Sequence, residues 1–378
     1  MFDQILARHR NLLEQLEEMV TAEAFFQIFR QLSDNYSPSL TVSRVQGPLI
    51  AQLISQNYGA ARTVTYEQNA RQSGCLTIQL GAKKPALWIS AHADICSYLT
   101  KTWDGKSYPL IPFCDHRVSP GIRKAIALSS PDGDGPLTPL VVGAMVTTPD
   151  HEVSFVCDRN DLPLHTRVTH HVPAAWNHVD GNITGFLDNQ AGTASLILAG
   201  KILALYDANV LLLIADEEEG PVDNGNQGFS RASNRLLHRT PISDLPDYFI
   251  VCDSHSEDAQ LASGKPTAFG NGASYSGLAS RARGAVTPPQ LLDSTRQLAT
   301  WLSTKGINLQ ETTSYVGRSD DISAMQFTPN ISLIGYPSAY SHFDHEPIAQ
   351  ISDLINLTKV LVIAAIIAQD VNWRQKYL

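Results

Sequence analysis

Apolar residues recur at helical spacing through the first part of the chain. The positions are Phe2, Ile5, Leu6, Leu12, Leu13, Leu16, Met19, Phe25, Phe26 and Phe29. Spacings of three and four place such side chains on one face of a helix, so the pattern predicts amphipathic helices whose aromatic residues face a core. A further helix is predicted over residues 43–56.

Short apolar runs, often rich in β-branched residues, then alternate with helical patterns. Such runs are typical of buried strands. Strands are predicted near residues 63–66, 76–80, 87–91, 209–215, 248–252 and 331–334, and helices over 189–206, 229–237, 289–304 and 352–368. The alternation predicts an α/β fold, in which a mostly parallel, mixed sheet is sandwiched by helices.

Residues 98–181 have a different pattern. They are rich in Pro, Gly, Asp and His, and turn clusters separate short alternating runs such as 125–128 and 153–156. Because no helical period is present, this stretch predicts a small all-β domain, a barrel or sandwich, inserted into the α/β domain. The α/β domain is then formed by residues 1–97 and 182–378.

Composition narrows the possible functions. The chain of 378 residues is 43% hydrophobic and 17% charged, so it can bury a sizeable core, and its net charge of −9 argues against nucleic acid or an anionic membrane as a partner. The longest apolar stretch, 360–368, is too short to span a bilayer, and the N-terminus lacks the layout of a signal peptide. Five scattered cysteines favour reduced thiols and a cytoplasmic location.

Five dispersed segments supply acid or imidazole groups. They are His92-Ala-Asp94, Asp188-Asn189, Glu217-Glu218-Glu219-Gly220, Asp253 and His342-Phe-Asp-His345. Each follows or borders a predicted strand or helix of the α/β domain. Because ligands bind beyond the carboxyl ends of the strands in open α/β sheets, we expect these segments to converge at one edge of the sheet.

A cluster of this kind needs compensating positive charge. Four carboxylates close together repel one another, and at least one would have to protonate. The segments contain no Lys or Arg, so two divalent cations are the predicted partners. Imidazole and carboxylate ligands without thiolate favour zinc, with cobalt or manganese as alternatives. Taken alone, each segment can also be explained without a metal, as a chance HxD pair or a solvated acidic loop. The prediction of a metal site therefore depends on the order of the segments together with their position after strands.

The order HxD, D-N, E-E-x-G, D and H resembles the co-catalytic di-zinc exopeptidases with a phosphorylase/hydrolase-like α/β fold. The β insertion between Asp94 and Asp188 is most similar to the tetrahedral and glutamyl aminopeptidase family. The match covers nearly the whole chain. The resemblance implies two bound metal ions, a peptide substrate and a homo-oligomer assembled through the β domain.

The resemblance also implies roles for individual residues. His92 and Asp253 match ligands of the first metal, and Asp188 matches the carboxylate that bridges both metals. Glu218 and His342 match ligands of the second metal. His345 is a competitor of His342 for the last position.

Two further residues match positions that act in catalysis. Asp94 matches the aspartate that orients the ring of the first histidine. Glu217 matches the general base, which would take a proton from a metal-bridged water and pass it to the leaving amine. The expected activity is therefore that of a metal-dependent aminopeptidase, which removes N-terminal residues from short peptides.

The chain departs from the family pattern at three places, which makes it a divergent member. The usual Asp-Asp is Asp188-Asn189, the usual Gly-Gly-Thr-Asp-Ala is Gly317-Arg-Ser-Asp-Asp321, and the arginine expected before the last histidine is missing from 338–342. These changes leave the predicted metal ligands intact.

Two alternatives remain open from the sequence. A carboxypeptidase or amide deacylase with the same metals would need a cation to bind a substrate carboxylate, and the candidates are Arg281, Arg283 and Arg318. A non-catalytic relative is the second alternative, which the intact Glu217 and Glu218 argue against.

Overall fold

The computed structural model describes residues 1–58, 64–130, 133–206, 208–221 and 230–378. Its α-helices are α1 (Phe2–Leu6), α2 (Leu12–Met19), α3 (Ala22–Ser33), α4 (Val42–Asn57), α5 (Leu187–Leu203), α6 (Arg231–Arg239), α7 (Asp258–Ala262), α8 (Pro289–Ser303), α9 (Asp321–Ala324), α10 (Ile351–Ile367) and α11 (Val371–Tyr377). Its strands are β1 (Val64–Glu67), β2 (Leu76–Leu80), β3 (Leu87–His92), β4 (Tyr98–Thr100), β5 (Tyr108–Pro112), β6 (Gly121–Leu128), β7 (Pro139–Thr147), β8 (Val153–Val156), β9 (Arg167–His170), β10 (Ala175–Trp176), β11 (Asn182–Thr184), β12 (Val210–Ala215), β13 (Phe249–Val251), β14 (Ser254–Ser256), β15 (Ala273–Ser276), β16 (Leu309–Glu311), β17 (Tyr315–Val316), β18 (Ile331–Ala339) and β19 (Ile348–Gln350).

A mixed, thirteen-stranded sheet forms the centre of the α/β domain. Its main path is β1-β2-β12-β3-β13-β18-β19-β11-β10, and β14 to β17 are attached beside β18. The four central strands β12, β3, β13 and β18 are parallel neighbours, whereas β1 and β2 extend one side in antiparallel fashion. The predicted α/β fold with a mixed sheet is confirmed.

Helices cover both faces of this sheet, because side chains that alternate along a central strand enter two different cores. In β12, Leu212 and Ile214 face the larger core, which includes α5 and α10. Leu211 and Leu213 face the opposite core, to which α6 contributes. Because successive side chains point to opposite faces, a strand covered on both sides must be apolar throughout, as β12 is.

The register of the parallel strands determines where the polar segments meet. Ala215, the last residue of β12, lies opposite His92, the last residue of β3. Val251 at the end of β13 lies opposite Ser90 of β3 and Leu333 of β18. The segments that follow β3, β12 and β13 therefore leave the sheet at one edge, as expected for ligand sites in open α/β sheets.

The inserted domain is a closed antiparallel barrel with the strand order β4-β5-β8-β7-β6-β9. Its interior is filled by side chains that include Tyr98, Tyr108, Phe155 and Val168. The predicted β insertion with a barrel-like form is confirmed. Strand β10, which follows the barrel, pairs with β11 in the large sheet and not with the barrel.

Several element boundaries differ from the sequence prediction. Strand β18 extends to Ala339, beyond the predicted 331–334, and the strands β14 to β17 were not predicted, because they are only two to four residues long. Thr63 and Phe229, which were predicted to begin an element, lie outside the described residues.

The long apolar helix α10 is buried in the larger core. Among the described residues, no single helix has both the length and the apolar character to cross a membrane. Helices α10 and α11 meet that test only as a pair, and they are bent by 96° relative to each other.

Candidate metal centre

His92 lies at the centre of a cluster of carboxylates at the edge of the sheet. Its side chain is 1% exposed, and its Nε2 lies 3.0 Å from Asp188 Oδ1. The same nitrogen lies 3.7 Å from Glu218 Oε2 and 3.8 Å from Asp253 Oδ1. Three acidic groups from three different elements therefore surround one ring nitrogen.

Asp94 links the histidine to the glutamate segment. Its Oδ1 lies 3.4 Å from His92 Nδ1. Its two oxygens also accept hydrogen bonds from the backbone N–H groups of Glu218 (3.1 Å) and Glu219 (3.0 Å), and Oδ2 accepts a third from Ser39 Oγ (2.6 Å). One buried carboxylate thus contacts the imidazole ring and holds the backbone of the acidic loop after β12.

Asp188 lies between the two predicted metal-binding histidines. One oxygen is 3.0 Å from His92 Nε2, and the other is 3.9 Å from His342 Nε2. Ser254 Oγ donates a hydrogen bond of 3.1 Å to Oδ2. Burial alone would raise the pKa of Asp188, but the bond to His92 and the charge of that ring hold it well below its usual range.

The pKa values of the other acids in the cluster shift in the opposite direction. Burial and the charge of Asp188 raise the pKa of Asp253 well above its usual range. Burial and the charge of Asp253 do the same to the pKa of Glu218, and burial raises the pKa of Glu219 to about 8. Burial lowers the pKa of His92, but the surrounding carboxylates more than reverse this effect. The cluster therefore cannot keep all of these carboxylates ionised without added positive charge, which bound cations would supply.

The three consecutive glutamates point to three different partners. Glu217 forms an ion pair with Arg235 of α6, in which both carboxylate oxygens take part. Glu218 approaches His92, and Glu219 accepts a hydrogen bond from Cys96. The structure therefore does not bring the carboxylate of Glu217 together with the other predicted site residues.

The reason is the local backbone conformation of Glu217 together with its contact to Arg235. Glu217 has a left-handed backbone conformation (φ 61°), which turns its side chain away from those of the next two residues. Arg235 also donates to Ser73 O, so its guanidinium is held in place beside Glu217. The arginine is distant in sequence from the acidic segment, and only the packing of α6 brings it there.

His342 and His345 occupy different surroundings. His342 Nε2 lies 3.9 Å from Asp188 Oδ2, and its side chain is 30% exposed. The ring of His345 packs edge-on against Tyr340, with the ring centroids 4.7 Å apart. Of the two candidates for the last ligand, His342 is the one that lies with the cluster.

Cys96 and Glu219 also belong to the cluster, although neither was predicted as a metal ligand or catalytic residue. Cys96 Sγ donates a hydrogen bond of 3.0 Å to Glu219 Oε2, and it lies 3.9 Å from His342 Nδ1. Cys96, Glu219 and His342 thus form a third group of donors, beside His92-Glu218-Glu219 and His92-Asp188-Asp253. The sequence contains the signal, since Cys96 follows Asp94 by two residues, but its spacing from the other cysteines is not that of a zinc pair.

The donors fit the chemistry of divalent cations. The three groups contain two imidazoles, several carboxylates and one thiol, with the donors of each group within 4.8 Å of one another, and these are ligand types that zinc prefers. Burial and the charges of neighbouring acids raise the pKa values of Glu218, Glu219 and Asp253, and a bound cation would favour their ionised forms.

Comparisons with known proteins agree with this architecture. Neither the protein-family models nor the curated proteins include a match to the sequence. Among solved structures, the aminopeptidase APDkam598 from the archaeon Desulfurococcus kamchatkensis superposes with a TM-score of 0.72 at 16% identity, covering 94% of this chain and 98% of that one. The TET aminopeptidase from a marine sediment Thaumarchaeota archaeon gives 0.73 at 13% identity, covering 94% and 99%. The Pyrococcus horikoshii TET1 peptidase gives 0.65 at 16% identity, covering 90% and 99%.

The chain has the fold of the TET aminopeptidases. The predicted resemblance is confirmed at this level, and the similarity extends over nearly the full length of each of these structures. The TET fold accounts for both the α/β sheet and the inserted barrel.

In this TET fold, the cluster around His92 opens into a cleft of about 460 Å³. Asp188, Glu218 and Asp253 line its floor, while Glu217 is not among the lining residues. Of the arginines considered as carboxylate clamps, Arg283 and Arg318 line the cleft, whereas Arg281 lines a separate surface depression.

Proposed function

We propose that this protein is a metal-dependent aminopeptidase of the co-catalytic TET type, which holds two divalent cations per chain, with zinc first and cobalt or manganese as alternatives. The position of Asp188 between His92 and His342 carries this proposal, because a carboxylate with one oxygen near each histidine is suited to bridge two cations. When bound, the cations would polarise the scissile carbonyl and make the attacking water acidic.

The proposed ligands follow the contacts of the cluster. His92, Asp188 and Asp253 would hold the first cation, since Asp188 and Asp253 both approach His92 Nε2. Asp188 and His342 would hold the second, together with a glutamate of the acidic segment. Asp94 would orient the His92 ring, because its Oδ1 is the neighbour of the opposite ring nitrogen.

We assign the general base to Glu218 and the glutamate ligand of the second cation to Glu219. This is a shift by one residue from the roles that the resemblance implies for Glu217 and Glu218. Glu218 lines the cleft beside His92, and Glu219 lies near His342, while Glu217 is paired with Arg235. Glu218 would take a proton from the attacking water and deliver it to the amine that leaves.

The substrate is a short peptide bound through its N-terminus. The acidic floor of the cleft attracts a free ammonium group, and the cleft volume admits only a few residues. The alternative, a carboxypeptidase or amide deacylase, is favoured by arginines that line the cleft, among them Arg283 and Arg318, which could bind a substrate carboxylate.

The inserted barrel is the proposed surface for homo-oligomer formation in the cytoplasm. Apolar side chains are exposed on the barrel at Ile122 (74%), Val142 (52%) and Val156 (41%), and such patches mark protein interfaces. The P. horikoshii TET1 peptidase, which shares this fold, can assemble into a tetrahedron or a large octahedral shell. All five cysteines are free, which fits a reducing compartment.

Hydrolysis by the metal-stripped and the zinc-reconstituted protein tests the activity. Amino-acid anilides and short peptides with a free amine should be cleaved only after zinc is restored, and N-acyl amino acids should not be cleaved. Hydrolysis of N-acyl amino acids alone would select the deacylase alternative. If neither substrate class is cleaved by the protein with two zinc ions bound, the proposal is refuted.

A further inference from the structure

Cys96 lies at the boundary between the cluster of candidate metal ligands around His92 and the barrel. It follows Asp94 by two residues and precedes β4, and its side chain is only 4% exposed. Its thiol donates to Glu219 Oε2 at 3.0 Å and lies 3.9 Å from His342 Nδ1. A buried thiol therefore contacts the two residues that the proposed second cation site requires.

The spacing of these donors suits a single ion. Zinc binds sulfur at about 2.3 Å and nitrogen or oxygen at about 2.1 Å, so neighbouring donors of a tetrahedral site lie about 3.6 Å apart. Cys96 Sγ lies 3.0 Å from Glu219 Oε2, and one donor atom each from Cys96, Glu219 and His342 lie within 4.8 Å of one another.

We propose that Cys96 is a sulfur ligand of the second cation, together with Glu219 and His342. This inference depends on the proposed function, because it adds a ligand to one of its two cation sites. On binding, the Cys96 thiol loses its proton to solvent and the thiolate forms the metal–sulfur bond. A thiolate ligand makes this site softer than the site at His92 and Asp253, so it favours zinc, cobalt or cadmium over manganese and magnesium.

A simpler role would leave the thiol as a hydrogen-bond donor to Glu219 with no bond to the ion. Cobalt(II) distinguishes the two roles, since only a directly bonded thiolate gives a sulfur-to-cobalt charge-transfer band in the near ultraviolet. The metal-stripped full-length protein is titrated with cobalt(II), and absorption and bound cobalt are measured on the same sample. We expect the band to grow with one of the two cobalt ions.

Cys114 provides a matched control. The pairing of β4 with β5, continued through the bond from Phe113 N to Ser97 O, brings Cys114 beside Cys96. Both thiols are buried in the barrel core. In Cys96→Ser the band should disappear and the affinity for one cobalt should fall by at least about tenfold. In Cys114→Ser the band should persist.

A measurement on the unmodified protein avoids dependence on the variants. X-ray absorption at the zinc edge of the two-zinc protein should show a sulfur neighbour at about 2.3 Å. Two bound metals, peptidase activity and no sulfur neighbour would overturn the role of Cys96 and leave the proposed function standing. A charge-transfer band that survives Cys96→Ser would also overturn it. A protein that binds neither cobalt nor zinc would refute this inference and the proposed function together.

Discussion

Arg235 donates to both carboxylate oxygens of Glu217 and so turns the first of three consecutive glutamates away from the cleft. The side chain of Glu217 is 4% exposed and that of Arg235 is 37% exposed, so the carboxylate is buried while the arginine is in partial contact with solvent. Only the second and third glutamates remain available to the cluster around His92.

Replacement of single glutamates by glutamine tests which one is the base. Glu218→Gln should lower kcat by about 10²- to 10⁴-fold with both metals retained, because it removes the group that accepts the proton. Glu217→Gln should keep most of the activity and lower the free energy of unfolding by about 1.5–3 kcal/mol, since a charged hydrogen bond to Arg235 is lost. Steady-state kinetics, metal analysis and urea unfolding measure the three quantities.

The opposite result would return the base role to Glu217. That outcome is an active Glu218→Gln variant and a Glu217→Gln variant that is inactive but correctly folded. Arg235→Gln serves as a further control, because it should reproduce the loss of stability without removing either carboxylate.

Much of this arrangement follows from the sequence. The apolar runs 86–91, 209–215 and 248–252 predict the central strands, and parallel strands deliver their following residues to one edge of the sheet. His92 and Asp253 were therefore predictable in position as well as in type. The barrel was predictable from its alternating runs and turn clusters.

The direction of individual side chains was not predictable. Within the acidic segment, the positive φ of Glu217 turns its side chain away from those of the next two glutamates. Its partner Arg235 comes from a separate helix. Likewise, the contact of Cys96 with Glu219 depends on how the barrel joins the sheet. Both depend on tertiary packing, on which local spacing carries no information.

Asp188→Ala should abolish binding of both cations. Its two oxygens are the groups that face His92 and His342, so a side chain without oxygens cannot link the two sites. Metal content by elemental analysis of the purified protein measures this, with Ser254→Ala as the control that loses only the hydrogen bond to Asp188. Two metals bound to Asp188→Ala would contradict the bridging role.

Asp94→Asn should weaken metal binding by about 10- to 100-fold and also lower kcat. The asparagine side chain has only one acceptor oxygen, so it cannot accept the N–H groups of both Glu218 and Glu219 while facing His92. Competitive titration with a chelator gives the affinity. Ser39→Ala, which removes one hydrogen bond from Asp94, should have a much smaller effect. Equal effects of the two substitutions would show that Asp94 does not act through the glutamate loop.

Because the fold keeps His170 neutral, we expect the protein to lose stability as the pH falls and protonation of this side chain favours the unfolded chain. Burial and the positive charge of Arg123 lower the pKa of His170 to about 3, and its ring stacks on Phe343 beside the His342 segment. In the unfolded chain the same ring has a pKa of about 6.5. The neutral folded form therefore contributes stability above pH 6.5, and this stability is lost as the pH falls towards 3.

The variant His170→Phe retains a flat ring for the stack on Phe343 but cannot be protonated. Between pH 6.5 and pH 5, the metal-free wild type should lose up to about 2 kcal/mol more of its free energy of unfolding than this variant, from the linkage of one proton at 1.36 kcal/mol per pH unit. Urea unfolding of both proteins at the two pH values gives the difference, with His151→Phe, at an exposed position of the barrel, as the control. Parallel pH profiles for wild type and His170→Phe would mean that His170 is not kept neutral by the fold.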